Sequence, residues 1–265
     1  MSKKVIVITG GTSGIGLEAA KALVAQGCKV YELSRRGEGA DGRIAHIQAD
    51  VTDEGQVQAA VQEIADREGR IDVLINNAGF GISGAVEFTE TADAQRQFDV
   101  NFFGMVRMNK AVIPVMRRQG GGRIISMSSV AAPIAIPFQT YYSASKAAVR
   151  TYMLALAPEV KHFGIETCAI MPGDIHTGFT AARKKSPAGD DVYEGRITRS
   201  VAVMEHDELH GITAEAAGAF VAKKALQKRV PLLCTLGGKY KVFVFLTRLL
   251  PTRLMTWIVG QIYAK

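Results

Sequence analysis

Apolar positions along the chain alternate between two periods. Residues 4–9, Lys-Val-Ile-Val-Ile-Thr, form an unbroken β-branched run that ends in glycines. That is the pattern of a strand buried on both faces. Behind the glycines, Leu17–Gln26 has helical spacing and stops at Gly27, a helix-ending residue. The same reading predicts strands over 29–34, 44–49, 71–76, 123–127 and 166–171, and helices over 53–68, about 92–118 and 139–162. A helix over 214–227 and a last strand over 230–236 complete the series. Strand and helix alternate throughout, so the expected fold class is α/β: a doubly wound parallel sheet of about seven strands with helices on both faces. No linker or repeat divides the chain, and residues 1–265 are expected to form a single domain. Residues 173–212 lack clear periodicity and are expected to form an insertion or lid.

Composition narrows this picture. At 48% hydrophobic and 22% charged residues, with 27 Gly and 8 Pro, the 265-residue chain is neither disordered nor fibrous. Cys28, Cys168 and Cys234 have no ligand spacing, which points to a reducing compartment and no structural zinc. The apolar start, Val5–Ile8, is too short for a signal-peptide core, and no stretch reaches the ~18 apolar residues of a membrane span. A cytoplasmic protein is expected. The net charge of +7 is uneven: residues 216–265 hold nine Lys and Arg and no acid, which leaves 23 basic and 25 acidic groups before them. The excess belongs to one segment without a DNA-binding motif, so no nucleic-acid partner is expected.

The first strand runs into Thr9-Gly10-Gly11-Thr12-Ser13-Gly14-Ile15-Gly16. A glycine-rich turn between a strand and a helix lets backbone N–H groups approach a pyrophosphate, and the helix N-terminus adds its positive dipole end. Taken alone, such glycines could serve only a tight turn. Further motifs agree, in order. Asn76-Asn77-Ala78-Gly79 ends the fourth strand, Ser129 stands 13 residues before Tyr142, and Tyr142-Ser-Ala-Ser-Lys146 has the form YxxxK. Pro172-Gly173, with Ile175 and Thr177, follows the sixth strand, and Asn101 lies in the long helix. Together these residues resemble the short-chain dehydrogenase/reductase family, a group of Rossmann-fold oxidoreductases, over about two-thirds of the chain.

The resemblance implies a catalytic tetrad of Asn101, Ser129, Tyr142 and Lys146, and the residue chemistry suits it. Tyr142 and Lys146 are four apart, so on a helix they share one face. A free tyrosine titrates near ~10, and a neighbouring ammonium is expected to lower that value. Ser129 can donate to a substrate oxygen and hold it beside the phenol. The family implies that Lys146 also holds the cofactor ribose and that Asn101 holds a relay water. Tyr141 is set aside because the residue four beyond it is Ser145, and Ser128 because only Ser129 has the family's separation from Tyr142.

The second strand ends Leu33-Ser34-Arg35-Arg36, with no acid to bond an adenosine ribose 2′-hydroxyl. Arginine suits a 2′-phosphate, so Ser34 and Arg35, helped by Arg36, favour NADP(H) as the cofactor. Glu32 sits too early in the strand to serve as that acid. Asp50 and Val51 resemble the family's adenine-contacting pair. The expected cofactor site is thus Gly10, Thr12, Ser13, Gly14, Ile15, Gly16, Ser34, Arg35, Arg36, Asp50, Val51, Asn77, Ala78, Gly79, Tyr142, Lys146, Pro172, Gly173, Ile175 and Thr177. His206 and His210 have metal-pair spacing, but Asp207 stands where a zinc protease needs Glu and no third ligand follows, so no metal site is expected.

Wall candidates for the substrate are His176, Phe179, Tyr193, Met204, Phe80, Ile134 and Phe138; an apolar lining would favour a lipophilic ketone or alcohol. Residues 238–265 place hydrophobic positions between basic ones and contain the only Trp. Two readings of this segment stay open: a pair of short helices lying on an anionic membrane surface as a peripheral contact, or packing against a second subunit or the substrate pocket. The family resemblance implies a homodimer or homotetramer. The function expected from the sequence is NADP(H)-dependent interconversion of a ketone or aldehyde and an alcohol, as a carbonyl reductase. The alternative is a non-catalytic NADP(H)-binding sensor or partner-binding module.

Overall fold

The computed structural model describes residues 3–37 and 42–265. In chain order the elements begin β1 (Val5–Thr9), α1 (Gly14–Ala25), β2 (Lys29–Ser34), β3 (Ile44–Gln48), α2 (Glu54–Glu68), β4 (Val73–Asn76) and β5 (Ile82–Ser83). Then come α3 (Thr91–Phe98), α4 (Gly104–Arg118), β6 (Gly122–Met127), α5 (Thr140–Val160), β7 (Ile165–Pro172), β8 (Ile175–His176), α6 (Phe179–Ala182) and β9 (Lys184–Lys185). The chain closes with α7 (Arg196–Leu209), β10 (Ile212–Thr213), α8 (Ala214–Leu226), β11 (Leu233–Leu236), α9 (Gly238–Leu249) and α10 (Thr252–Tyr263).

Seven strands form one parallel sheet in the order β11-β7-β6-β4-β1-β2-β3. All five residues of β1 are buried, because both faces are covered. Val5 and Val7 pack into the core formed with α2, α4 and α5, while Ile6 and Ile8 pack into the core formed with α1 and α8. This explains the unbroken apolar run. Local signals start and stop the helices. The Asp53 side chain accepts from Gln56 N at the start of α2, and Gly69 ends that helix in the left-handed region at φ 70°. Thr213 caps α8 in the same way as Asp53 caps α2.

Sheet order places the site. The chain winds β1→β2→β3 to one side and returns to lay β4 on the other side of β1, with Thr9 beside Asn76. The connections after β1 and β4 therefore part at the carboxyl ends of these strands and leave a crevice between them.

Three expectations need correction. The helix over 92–118 is interrupted by a π-helical turn, Asp99–Phe103, a device that widens a helix by one residue and clusters at functional sites. Residues 173–212 contain a fourteen-residue helix, α7. Its polar faces hide the 3.6-residue period, since only Ile197, Ser200 and Met204 are buried. The strand expected over 230–236 is reduced to Leu233–Leu236. No helix among the described residues is long and apolar enough to cross a membrane.

Candidate active site

A continuous cleft of about 890 Å³ runs along the carboxyl ends of the central strands. Every expected site residue lines it except Gly16 and Asn101. At one end is the glycine turn. Gly10 adopts φ +64°, and an added Cβ there would come 3.1 Å from Ala78 Cα. A Cβ on Gly16 would collide with Gly10 O and Asn77 Nδ2, so this glycine lets α1 pack closely onto the turn. Asn77 staples the turn to the loop after β4, donating from Nδ2 to Gly10 O (2.9 Å) and from its backbone N to Thr9 Oγ1 (3.1 Å).

A dinucleotide fits this end. Ser13 stands at the N-cap of α1 but makes no side-chain cap, and the first turn holds no acid. The leading N–H groups of a twelve-residue helix are thus left facing the cleft, where an anion would meet them. At the rim, Glu32 is buried and its carboxylate accepts from Gly11 N (3.0 Å) and Ser34 Oγ (2.7 Å) and contacts His46 Nδ1 (2.6 Å). Glu32 does not line the cleft, whereas Ser34, Arg35 and Arg36 do, and both arginines are exposed. Asp50 also lines the wall, held by Thr52 N (2.9 Å) and Thr52 Oγ1 (2.8 Å).

Midway along the cleft, Ser129 follows β6, and Tyr142 and Lys146 project from α5. Lys146 Nζ lies 5.7 Å from the centre of the Tyr142 ring and donates to Met127 O at 2.8 Å. Burial pushes the Lys146 ammonium down to about 8. Tyr142 departs from the sequence expectation: burial pushes its phenol up to about 12, outweighing the opposing hydrogen bond with Ser129. Glu208 raises it further, so desolvation is the largest influence on this phenol. The tyrosine is thereby kept in its proton-donating form at neutral pH. Ser128 is differently engaged, donating from Oγ to Lys146 O at 2.8 Å. Tyr141 lies outside the cleft, its hydroxyl toward Val86 O.

Asn101 sits in the π-helical turn and is buried. Its Oδ1 accepts from Phe80 N (2.9 Å), and its Nδ2 donates to Phe80 O (3.0 Å) and Ser145 Oγ (3.2 Å). It ties the loop after β4 to α5. A Cβ added to the intervening Gly79 would lie 3.0 Å from Asn101 Oδ1 and 3.5 Å from Lys146 Nζ.

The far end is built by the lid and the last helices. Phe80, Phe179 and Met204 line it as expected, with the Tyr142 and Phe179 rings 5.8 Å apart. Four expected wall residues do not line it. His176 is exposed on β8, and Ile134 packs against the cluster of Val130, Met171, Tyr240 and Val244. Tyr193 and Phe138 stack edge-on at 5.7 Å and brace the lid from outside, Tyr193 donating to Glu87 Oε1 at 2.7 Å. The sequence reading missed Asp174, Lys184, Glu208, Arg96 and Tyr263, all on the cleft wall. Glu208 pairs with the buried Arg183 and accepts from Thr180 Oγ1 (2.5 Å). Asp174 accepts from the Tyr240 hydroxyl, and burial raises its carboxyl above the usual range. Asp174 directly follows the Pro172-Gly173 motif, a signal that was available; Tyr263 had none, because only the fold of α10 brings it here.

Comparison with known proteins agrees with this geometry. The family model for short chain dehydrogenases matches residues 4–188. A 3-ketodihydrosphingosine reductase of Bacteroides thetaiotaomicron is 39% identical over 267 residues, covering 100% of this chain and 99% of that protein. Among solved structures, a short-chain dehydrogenase from Streptomyces avermitilis superposes with a TM-score of 0.82 at 31% identity, covering 92% of each chain. ElxO with NADP bound superposes with a TM-score of 0.76 at 25% identity, covering 91% of this chain and 100% of its own.

Proposed function

The chain belongs to the short-chain dehydrogenase family of oxidoreductases that use a nicotinamide cofactor, and from that premise we propose an NADP(H)-dependent carbonyl reductase of lipophilic ketones. The observation that carries the reading is the position of Tyr142 and Ser129, midway between the glycine cradle and the lid in one cleft. Bound along the cradle, the dinucleotide supplies the hydride for the carbonyl carbon. Gly14, Ile15 and the N-terminus of α1 hold its pyrophosphate, Arg35 and Arg36 its 2′-phosphate, and Lys146 a ribose.

Ser129 donates to the carbonyl oxygen and fixes it beside the phenol, and Tyr142 gives that oxygen its proton as the alcohol forms. A phenol whose affinity for its proton is raised by burial suits the reductive direction, since it enters the step protonated. Asn101 is a positioning residue: it holds Phe80 and Ser145, and through them Gly79 and Lys146. Its remaining Oδ1 lone pair is the place for a relay water.

The first substrate to test is 3-ketodihydrosphingosine, named for the Bacteroides relative. The wall of Phe80, Ile136, Phe179, Ala182 and Met204 supports a lipophilic chain. Fluorescence titration with NADPH and NADH, followed by NADPH consumption with that ketone and a short ketone, tests the reading. Tight NADPH binding with turnover of the long ketone is expected; binding of neither dinucleotide overturns it. We place the enzyme in the cytoplasm, or peripheral to a membrane there, as a homodimer or homotetramer whose size sedimentation velocity checks.

A further inference from the structure

The last two helices turn an unusual face outward. On α9, Tyr240 and Val244 point into the molecule, whereas Val242, Phe245 and Leu249 are 58%, 56% and 63% exposed. These three stand at i, i+3 and i+7, so they form one stripe opposite the buried side. Lys241 and Arg248, seven residues apart, flank it on one side, whereas Lys239 turns back over the Tyr240 ring toward Asp174. On α10, Met255 and Val259 face inward, while Leu254 and Trp257, the latter 61% exposed, face out beside Arg253. Seven of the thirteen large hydrophobic residues exposed among the described residues lie between 242 and 262. Scattered exposed apolar residues are ordinary, but Val242, Phe245 and Leu249 line up on one side of α9, and such a grouping marks an interaction surface.

The charge around the patch selects its occupant. From Ala216 to Lys265 there are nine basic residues and no acid. A second copy meeting this face symmetrically would set Lys241 and Arg248 against their own like charges. An anionic bilayer instead takes the apolar stripe into its interface and the flanking cations onto its headgroups. We propose that α9 and α10 dock on an anionic membrane surface. The inner faces of the same helices form part of the substrate end: Tyr263 lines the cleft, and the Tyr240 ring packs on Gly173 with its hydroxyl on Asp174. Docking thus holds the substrate end near the lipid, where a long-chain ketone partitions. This second half rests on the lipophilic-ketone reading above; the docking itself does not.

Trp257 is the only tryptophan, so its emission reports the face directly. The full chain is titrated with vesicles of equimolar phosphatidylglycerol and phosphatidylcholine, and with vesicles of phosphatidylcholine alone. A blue shift and co-sedimentation with the first but not the second are expected, weakening as salt rises. Lys241→Gln and Arg248→Gln are each expected to weaken binding about fivefold. Phe245→Ser with Leu249→Ser abolishes it while leaving turnover of a short, water-soluble ketone unchanged. No shift with anionic vesicles overturns the docking. So does a self-association that the same double variant removes while vesicle binding persists. If docking is seen but the double variant reduces vesicle-borne long-chain ketone as fast as the parent, loading from the bilayer is overturned. If the parent reduces no ketone at all, the carbonyl-reductase reading falls and the docking stands.

Discussion

The two ends of the cleft are made of different material. At the cofactor end the frame is largely main chain at the ends of β1 and β4, where Gly10 N bonds Leu33 O and the Asn77 amide donates to Gly10 O, with the Arg35 and Arg36 side chains only at its rim. At the substrate end they are side chains on separate elements, such as Arg183 with Glu208 and Tyr240 with Asp174. A backbone cradle is fixed by the sheet and accepts few changes. A side-chain wall can be rebuilt residue by residue while the sheet stays as it is. One family can in this way keep its cofactor chemistry and vary its substrates.

Several variants sharpen or break that division. Tyr142→Phe removes the proton donor at the junction; turnover is expected to fall about 10²–10⁴-fold with NADPH affinity unchanged. Near-normal turnover would dismiss Tyr142 as the general acid. Glu208→Gln strands the buried Arg183 without its carboxylate, and loss of such a partner costs about 3–5 kcal/mol. Urea melts are expected to show this destabilisation while the folded fraction still binds NADPH normally; weakened dinucleotide binding would mean that the two ends are coupled. Arg35→Ala acts only at the other end. Losing one charge-assisted phosphate contact, about 1.5–3 kcal/mol, is expected to weaken NADPH about 10–100-fold and leave NADH untouched. Equal effects on both would remove the 2′-phosphate from the picture.

The smallest effect is in the pH profile. Lys146 is depressed to about 8 and Tyr142 raised to about 12. As pH rises through about 8 the ammonium loses its proton while the phenol keeps its own. The reductive kcat/KM is therefore expected to decline above about pH 8 on the lysine limb. A profile flat to pH 10 would show that the Lys146 charge is not needed in the free enzyme.

The same division explains what the sequence disclosed. Unbroken apolar runs announced the parallel strands, and the spacings Gly10–Gly16, Asn76–Gly79 and Tyr142–Lys146 sit where β1, β4 and α5 put them. These signals are local, because one turn or one helical face carries each of them. Tyr263 and Glu208 reach the cleft only through the path of α7 and α10 across the sheet's end, which no spacing encodes. The π-helical turn at Asp99–Phe103 escaped for another reason: it adds one residue to an otherwise regular apolar period. The tyrosine's proton affinity was misjudged because burial cannot be seen in the four-residue interval to Lys146, and burial is the larger influence.

Glu32 also constrains residue 34. Its carboxylate already accepts from Ser34 Oγ at 2.7 Å while holding Gly11 and His46. An aspartate at 34, the simplest route to a ribose-gripping acid, would place a second carboxylate against the first inside a buried node. Two carboxylates that close cannot both ionise readily, and one would retain a proton. On the NADP(H) reading proposed above, an aspartate at residue 34 would therefore call for a compensating change at residue 32.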